Sequence, residues 1–128
     1  MIYIKATANG EPGTLPLAKT FQYADKDDEL ILHHSVEMVR EKILKSMKLN
    51  VNEALLLYAH FIASQMRAKK PAGAIEKDAM TLLSAGQVMI GVPETLRTIA
   101  FDAVVDGRRD WVTLKEPIPM SGHIMAAK

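Results

Sequence analysis

The stretch from Ile99 to Leu114 reads IAFDAVVDGRRDWVTL and has the pattern of two strands joined by a tight turn. Asp-Gly at residues 106–107 is a strong signal for a two-residue hairpin loop. Counting outward from this turn places Phe101 opposite Val112. Two residues further along, Ile99 stands opposite Leu114 on the same face. The register set by the turn agrees with the hydrophobic pattern, so both predict a β-hairpin. The other face, which is predicted to meet water or a partner, carries Asp102, Val104, Arg109 and Trp111.

Upstream of the hairpin, the hydrophobic period changes to that of helices. A first helix is predicted at 28–46, with one apolar face formed by Leu32, Val36, Val39, Ile43 and Met47. A second is predicted at 51–69; its start is apolar on almost every side, which is typical of a core or a subunit interface. A third is predicted at 74–84, followed by a short helical piece at 87–90 that Gly91-Val92-Pro93 should stop. The sequence therefore predicts an α+β fold, in which three to four helices are followed by a small antiparallel β-hairpin.

Residues 1–27 precede the first helix and carry several turn-forming residues. Alternation of apolar and other residues favours a short strand at 2–7. Pro12 and Pro16 argue against a long paired partner for this strand, because proline cannot donate a hydrogen bond to a sheet ladder. We therefore interpret this segment as a short strand or an arm.

The composition fits one globular domain, since 48% of the 128 residues are hydrophobic and 24% are charged. A net charge of +1 provides no field to hold a phosphate backbone or an anionic membrane, so we expect no nucleic acid and no membrane partner. No stretch approaches the roughly 18 apolar residues of a membrane span. The absence of cysteine excludes disulfides and thiolate metal sites and fits a reducing compartment. The expected location is cytoplasmic.

Histidines and carboxylates form no recognisable catalytic or metal-binding pattern. His33 and Glu37 share a helical face but provide two ligands at most, so a capping or solvated role is the simpler interpretation. His60 lies in the apolar helix, where a hydrogen-bonded core or interface role is commoner than catalysis. We therefore predict no catalytic, cofactor-binding or metal-binding residue in this chain. A small enzyme that uses His60 or the pair of His33 and Glu37 is the alternative.

Three stretches point to a more specific hypothesis. They read KLNVNEA at 48–54, QVMIGVPE at 87–94, and DG at 106–107 followed by VTLKEPI at 112–118. Their order and separations resemble the urease gamma subunit family, whose pattern is roughly K-L-N-x-x-E-A, then V-M-x-G-V-P-E, then D-G with V-T-x-x-x-P-I. Three stretches in order at matching spacing are fairly specific to that family.

The resemblance implies a non-catalytic structural subunit of a nickel-dependent amidohydrolase that splits urea into ammonia and carbamate. In that family the nickel ions and catalytic groups belong to the large alpha subunit, so nickel is expected in the partner and no cofactor in this chain. Gamma subunits pack on alpha and help to build a threefold assembly of alpha, beta and gamma chains. Self-association of the isolated chain is left open.

The resemblance also suggests which residues contact a partner or shape that contact. They are Leu49, Asn50, Glu53, Gly91, Val92, Pro93, Glu94, Pro117 and Ile118. Asn50 and Glu53 have the spacing of a helix capping box, and Gly91 can adopt a positive φ or allow close approach. The apolar helix at 51–69 and the hairpin with Trp111 are expected to supply much of an interface of the usual ~800 Å² per side.

The family usually begins near the first helix. We therefore predict a urease gamma-like domain at 28–119, an N-terminal extension at 1–27 and a tail at 120–128. The chain departs from the family pattern at Met47, where glycine is usual, and at Thr95, where methionine is usual. A second hypothesis is thus a stand-alone binding or regulatory module, which kept the fold and covers the old interface with its N-terminal extension.

Overall fold

A computed structural model describes residues 1–119, and the predicted tail at 120–128 lies outside the described residues. The strands are β1 (Ile2–Asn9), β2 (Leu17–Tyr23), β3 (Thr98–Val105) and β4 (Arg108–Lys115). The helices are α1 (Lys26–Leu44), α2 (Val51–Arg67), α3 (Ala72–Ala79) and α4 (Val92–Thr95), with a 3₁₀ turn at Ala85–Gln87. The predicted α+β fold class is confirmed.

The β3–β4 hairpin forms in the predicted register. Phe101 pairs with Val112, and both side chains are buried. The two turn residues have positive φ, 51° at Asp106 and 85° at Gly107, as in the turns whose twist matches that of paired strands. Turn chemistry and burial therefore specify the same pairing.

The N-terminal segment supplies two of the four strands of the sheet, rather than the single short strand predicted. The strand order is β2-β1-β3-β4, and β1 pairs antiparallel with both neighbours. The expectation that β1 lacks a long partner is wrong. Pro12 and Pro16 lie in the loop between β1 and β2, where no ladder hydrogen bond is lost. The sheet is therefore built from both ends of the described chain, not from one hairpin that follows the helices.

One face of the sheet packs in the core. Alternate residues of β1 are buried on this face, namely Ile2, Ile4, Ala6 and Ala8. Ile4 pairs with Phe21 on one side and with Ala103 on the other, and all three belong to the same hydrophobic cluster. A period of two along β1 thus reflects burial at the centre of the sheet.

Helix α1 lies two residues earlier than predicted at each end. Its first turn is capped by Asp25, whose side chain accepts a hydrogen bond from the Asp28 N–H at 2.9 Å. The buried residues of the helix are Glu29, Leu32, Val36 and Val39. Met47, which the helical period placed on this buried face, lies beyond the end of α1 and is exposed.

Helix α2 is a core helix. Its buried residues are Ala54, Leu55, Leu57, Tyr58, Ala59, Ile62, Ala63 and Met66. A helix that is apolar on most sides is stable when other elements bury those sides. The elements that contact α2 are α1, α3, β1 and β3 of this chain. The expectation that α2 supplies a large apolar surface to a partner is therefore wrong.

The chain between α2 and β3 is less helical than predicted, since α3 ends at Ala79 and the next piece is the short 3₁₀ turn. Gly91 has φ of 95° and precedes α4. Pro93 is predicted to end the preceding helical piece, with Glu94 in a first turn after it, and the structure places Pro93 itself within the first turn of α4. Proline is tolerated there because the N–H groups of a first turn have no partner within the helix.

Candidate interaction surfaces

Two of the three stretches that carry the family resemblance meet at the start of α2. Leu49 and Val88 form a parallel β-bridge. The Leu49 N–H donates to the Gln87 carbonyl at 3.0 Å, and the Met89 N–H donates to the Leu49 carbonyl at 2.8 Å. Segments far apart in sequence are therefore held side by side by backbone hydrogen bonds.

The predicted capping box is present at the N-terminus of α2. The Glu53 N–H donates to Asn50 Oδ1 at 2.8 Å, and the Asn50 N–H donates to Glu53 Oε1 at 2.9 Å. Lys42 Nζ lies 2.6 Å from Glu53 Oε2. Burial acts to raise the pKa of Glu53, but the hydrogen bonds from Lys42 and from the Asn50 backbone hold this pKa below its ordinary value. Glu53 is thus an ionised group that ties α1 to α2.

Loss of the capping box should weaken α2 by a modest amount. Asn50→Ala removes the acceptor of the Glu53 N–H, so we expect the free energy of unfolding to fall by about 1 kcal/mol. Urea unfolding monitored by circular dichroism measures the change. Asn52→Ala is the control, because Asn52 is exposed within the same turn and makes no capping bond. Equal losses in the two variants would contradict a capping role.

Beside the bridge, the chain exposes apolar side chains on a short loop. Ile90 is fully exposed (104%), and Met89 is also exposed. Met89, Ile90, Gly91 and Glu94 help to line a shallow groove of about 310 Å³. We call Asn50 and the segment Met89–Glu94 the junction surface. The left-handed Gly91 sets the path of this loop, since a residue with a β-carbon rarely adopts φ of 95°.

The nine predicted interface residues divide into two groups. Leu49, Val92, Pro93, Pro117 and Ile118 are buried, whereas Asn50, Glu53, Gly91 and Glu94 are exposed or half-buried. Pro117 and Ile118 follow β4, where the Glu116 N–H donates to the Arg97 carbonyl at 2.6 Å. The buried residues of this set can shape a contact surface, but their side chains are not accessible to a partner. A role of these residues at an interface stays a prediction.

An ion cluster that the sequence does not predict lies at the opposite end of α2. Arg67 donates to both carboxylate oxygens of Glu29, at 2.6 and 3.0 Å, and to those of Asp106 at 2.9 and 3.2 Å. Glu29 is buried (8% exposed) although the sequence presents it as the last residue of an acidic run. Hydrogen bonding from Arg67 lowers the pKa of Glu29 despite its burial. No local pattern indicates this cluster, because its members come from α1, α2 and the hairpin turn.

The histidines considered for catalysis meet between α1 and α2. The rings of His33 and His60 lie edge to face, with their centres 5.5 Å apart. The pKa of His60 is lowered, and burial is the largest cause. Within residues 1–119, no group of three or more His, Cys, Asp or Glu side chains is placed to hold a metal ion. None of the helices in that range is long and apolar enough to cross a membrane.

On the outer face of the sheet, Trp111 is exposed (64%). The guanidinium of Arg109 lies 4.7 Å from the centre of its ring. Arg109 also donates to both oxygens of Asp102, at 3.0 and 2.7 Å. These contacts hold an aromatic ring in one orientation on the face that the sequence predicted to meet water or a partner.

The part of the chain that is similar to known proteins includes both the junction surface and the hairpin. The family model described as "Urease, gamma subunit" matches residues 22–118. A protein named "Urease subunit gamma" from Halalkalibacterium halodurans is 31% identical over 91 residues, which are 71% of this chain and 91% of that protein.

Proteins named "Urease subunit alpha" are similar as well. The one from Helicobacter pylori strain J99 is 32% identical over 99 residues, 77% of this chain. The one from Helicobacter heilmannii is 30% identical over 100 residues. The chain spans 42% and 43% of the lengths of these two relatives. With the family match covering most of the chain, the comparisons show that this chain belongs to the urease gamma subunit family.

Proposed function

We propose that this chain is a non-catalytic structural subunit of a urease-type nickel amidohydrolase that splits urea into ammonia and carbamate. The family match and the names of the relatives support a urease subunit. Side chains within residues 1–119 do not fit a nickel site, so no step of urea hydrolysis is assigned to them. We place nickel in a large alpha partner, and we propose a cytoplasmic threefold assembly with alpha and beta chains.

The junction surface carries this proposal. Its backbone is fixed by the Leu49–Val88 bridge, and Ile90 projects fully into solvent beside a shallow groove. An apolar side chain on a fixed loop loses little conformational freedom on binding, which favours a contact with another protein. Both stretches that build the surface lie within the family match.

The first test is the state of the chain in its own cells. A tagged chain is purified under native conditions, and the native mass, the nickel content and urea hydrolysis are measured on the same fraction. We expect a large nickel-containing species that hydrolyses urea and contains two other chains. A metal-free, inactive chain that purifies alone would contradict the proposal.

Ile90→Asp should weaken assembly and leave the fold unchanged. Because Ile90 is fully exposed, its replacement has little effect on stability. A charge placed in an apolar contact should reduce co-purification of the other subunits by about tenfold or more. The matched control is Leu15→Asp, since Leu15 is also an exposed apolar residue (93%) but lies outside the family match. Equal recovery of partners with the two variants would remove the junction surface from the interface.

A stand-alone binding or regulatory module is the second candidate. One observation favours it: β1 lies wholly outside the family match and pairs along the whole length of β3. Strand β1 therefore covers the edge of β3, which would be open without it. Native mass distinguishes the candidates, because a stand-alone module purifies without large partner chains.

A further inference from the structure

The outward face of α1 carries several exposed apolar side chains. Four large apolar residues are exposed on this helix: Leu30 (59%), Ile31 (62%), Met38 (68%) and Leu44 (85%). They lie away from the buried stripe of Leu32, Val36 and Val39. Single exposed apolar residues are ordinary, but several on one face indicate a contact with another protein.

The two halves of this face differ in shape. In the N-terminal half, Leu30 and Ile31 project from the first turns. In the C-terminal half there is a groove of about 330 Å³ between α1 and the start of α2, which we call the α1–α2 groove. It is lined by Met38, Glu41, Lys42, Lys45, Met47 and Glu53. Methionine side chains adapt readily to an inserted apolar group.

The two halves also differ in charge. The first turn of α1 is acidic, with Asp27 exposed, and the end of the helix is basic, with Lys45 exposed just after Leu44. Lys45 Nζ lies 2.8 Å from Glu41, an exposed pair of the kind that contributes little energy. Lys45 can therefore turn to another carboxylate at low cost.

We propose that this face binds a second copy of the chain, with the two α1 helices antiparallel about a two-fold axis near residue 36. Each copy then places Leu30 and Ile31 over the α1–α2 groove of the other. Asp27 faces the partner's Lys45, and the contact occurs twice. The face carries projecting side chains in one half and a groove in the other, and its two ends have opposite charges. Such a face is complementary to a second copy of itself, as a two-fold interface requires.

The dimer is weak and depends on concentration. A helix of 19 residues is about 28 Å long, so one helical face buries less than the ~800 Å² per partner of a standard interface. Sedimentation velocity on the purified full chain, from low micromolar to near-millimolar concentration, is expected to show a reversible monomer–dimer equilibrium. A monomer throughout this range would overturn the proposal.

Ile31→Asp tests the apolar part of the contact. We expect the dissociation constant of the dimer to rise by about tenfold or more, with an unchanged thermal midpoint of the diluted monomer, because Ile31 is exposed. Leu15→Asp is the matched control, since Leu15 is an exposed apolar residue (93%) in the loop between β1 and β2, and it should leave self-association unchanged. Loss of the dimer in the Leu15 variant alone would overturn the placement on α1. Co-purification of urease subunits does not enter this test, so its failure and that of the proposed function are distinguishable.

Exchange of the charges tests the antiparallel arrangement. Asp27→Lys and Lys45→Asp should each weaken the dimer, because like charges then face one another. The variant with both changes should restore it, and a mixture of the two single variants should form a heterodimer. If neither the double variant nor the mixture regains affinity, the antiparallel arrangement is wrong.

Discussion

Ile4→Ala is expected to lower the free energy of unfolding by about 3 kcal/mol. Ile4 is completely buried (0% exposed) at the centre of β1, the strand that lies between β2 and β3. Truncation removes apolar area from the core and leaves a cavity that the paired strands on both sides cannot collapse to fill. Urea unfolding followed by far-UV circular dichroism measures the loss.

The neighbouring residue provides the control. Lys5 follows Ile4 in the same strand, but its side chain is exposed on the other face, so Lys5→Ala should change stability by no more than about 0.5 kcal/mol. If residues 1–27 were an arm attached loosely to the domain, both variants would have the same small effect. A large difference between them would establish that β1 is part of the folding unit.

Arg67→Met is expected to lower the free energy of unfolding by about 2 kcal/mol at neutral pH. The change keeps the aliphatic part of the side chain but leaves the buried carboxylate of Glu29 without its main partner. Removal of one member of a buried pair costs about 3–5 kcal/mol, and we lower this figure because Arg67 is partly open to solvent. Chemical unfolding of the two proteins at pH 7 checks the magnitude.

Acidification should affect the wild type more than the Arg67→Met variant. Arg67 holds the pKa of Glu29 below its ordinary value of 4.5, so folding favours the ionised carboxyl. This contribution is fully present above pH 4.5 and is lost as the pH falls through the lowered pKa of the folded state. Asp106 acts in the same direction, because hydrogen bonding from Arg67 lowers its pKa as well.

Unfolding measurements at pH 7 and pH 3 on both proteins make the comparison. In the variant, Glu29 loses the hydrogen bonds from Arg67, which are the largest cause of its lowered pKa, so protonation of Glu29 opposes folding less than in the wild type. Lys70→Met is the control, since Lys70 and Asp78 form a half-exposed pair at 3.8 Å that should contribute about 0–1 kcal/mol. Parallel pH profiles for the wild type and the Arg67 variant would contradict the assigned role of Arg67.

Local chemistry explains which parts of the fold were predicted correctly. The Asp106-Gly107 turn and the alternating residues beside it specify the register of β3 and β4 within a few residues of sequence. The start of α2 is equally local, because Asn50 and Glu53 satisfy each other's backbone N–H groups across one turn. Such elements can be predicted without knowledge of the rest of the molecule.

Non-local pairing explains what was missed. The partners of β1 are β2 and β3, and β3 begins nearly a hundred residues away in sequence. Nothing in the alternation of Ile2 and Ile4 shows whether they face a core or form a detached strand. The prediction takes Pro12 and Pro16 as evidence against a strand partner wherever they lie. Their effect on pairing depends on their position, and both lie in the loop that connects β1 to β2.

The candidate site shows the same division. The sequence selected the stretches around Leu49 and Gly91 through their family resemblance, and the comparisons confirm that family. It did not show that Leu49 is buried and bonded to the segment at Val88, nor that Ile90 is fully exposed to solvent. Contact residues cannot be separated from supporting residues until burial is known.

The sequence by itself therefore determined the fold class, the hairpin register, the start of α2 and the family, since each depends on neighbouring residues or on ordered motifs. Only the tertiary structure decided that β1 occupies the middle of the sheet, that Glu29 is buried against Arg67, and that α1 exposes an apolar face. The physical reason is that these features depend on the burial of groups brought together from distant parts of the chain. Burial is a property of the packed molecule, and a local pattern specifies only what a segment can bury.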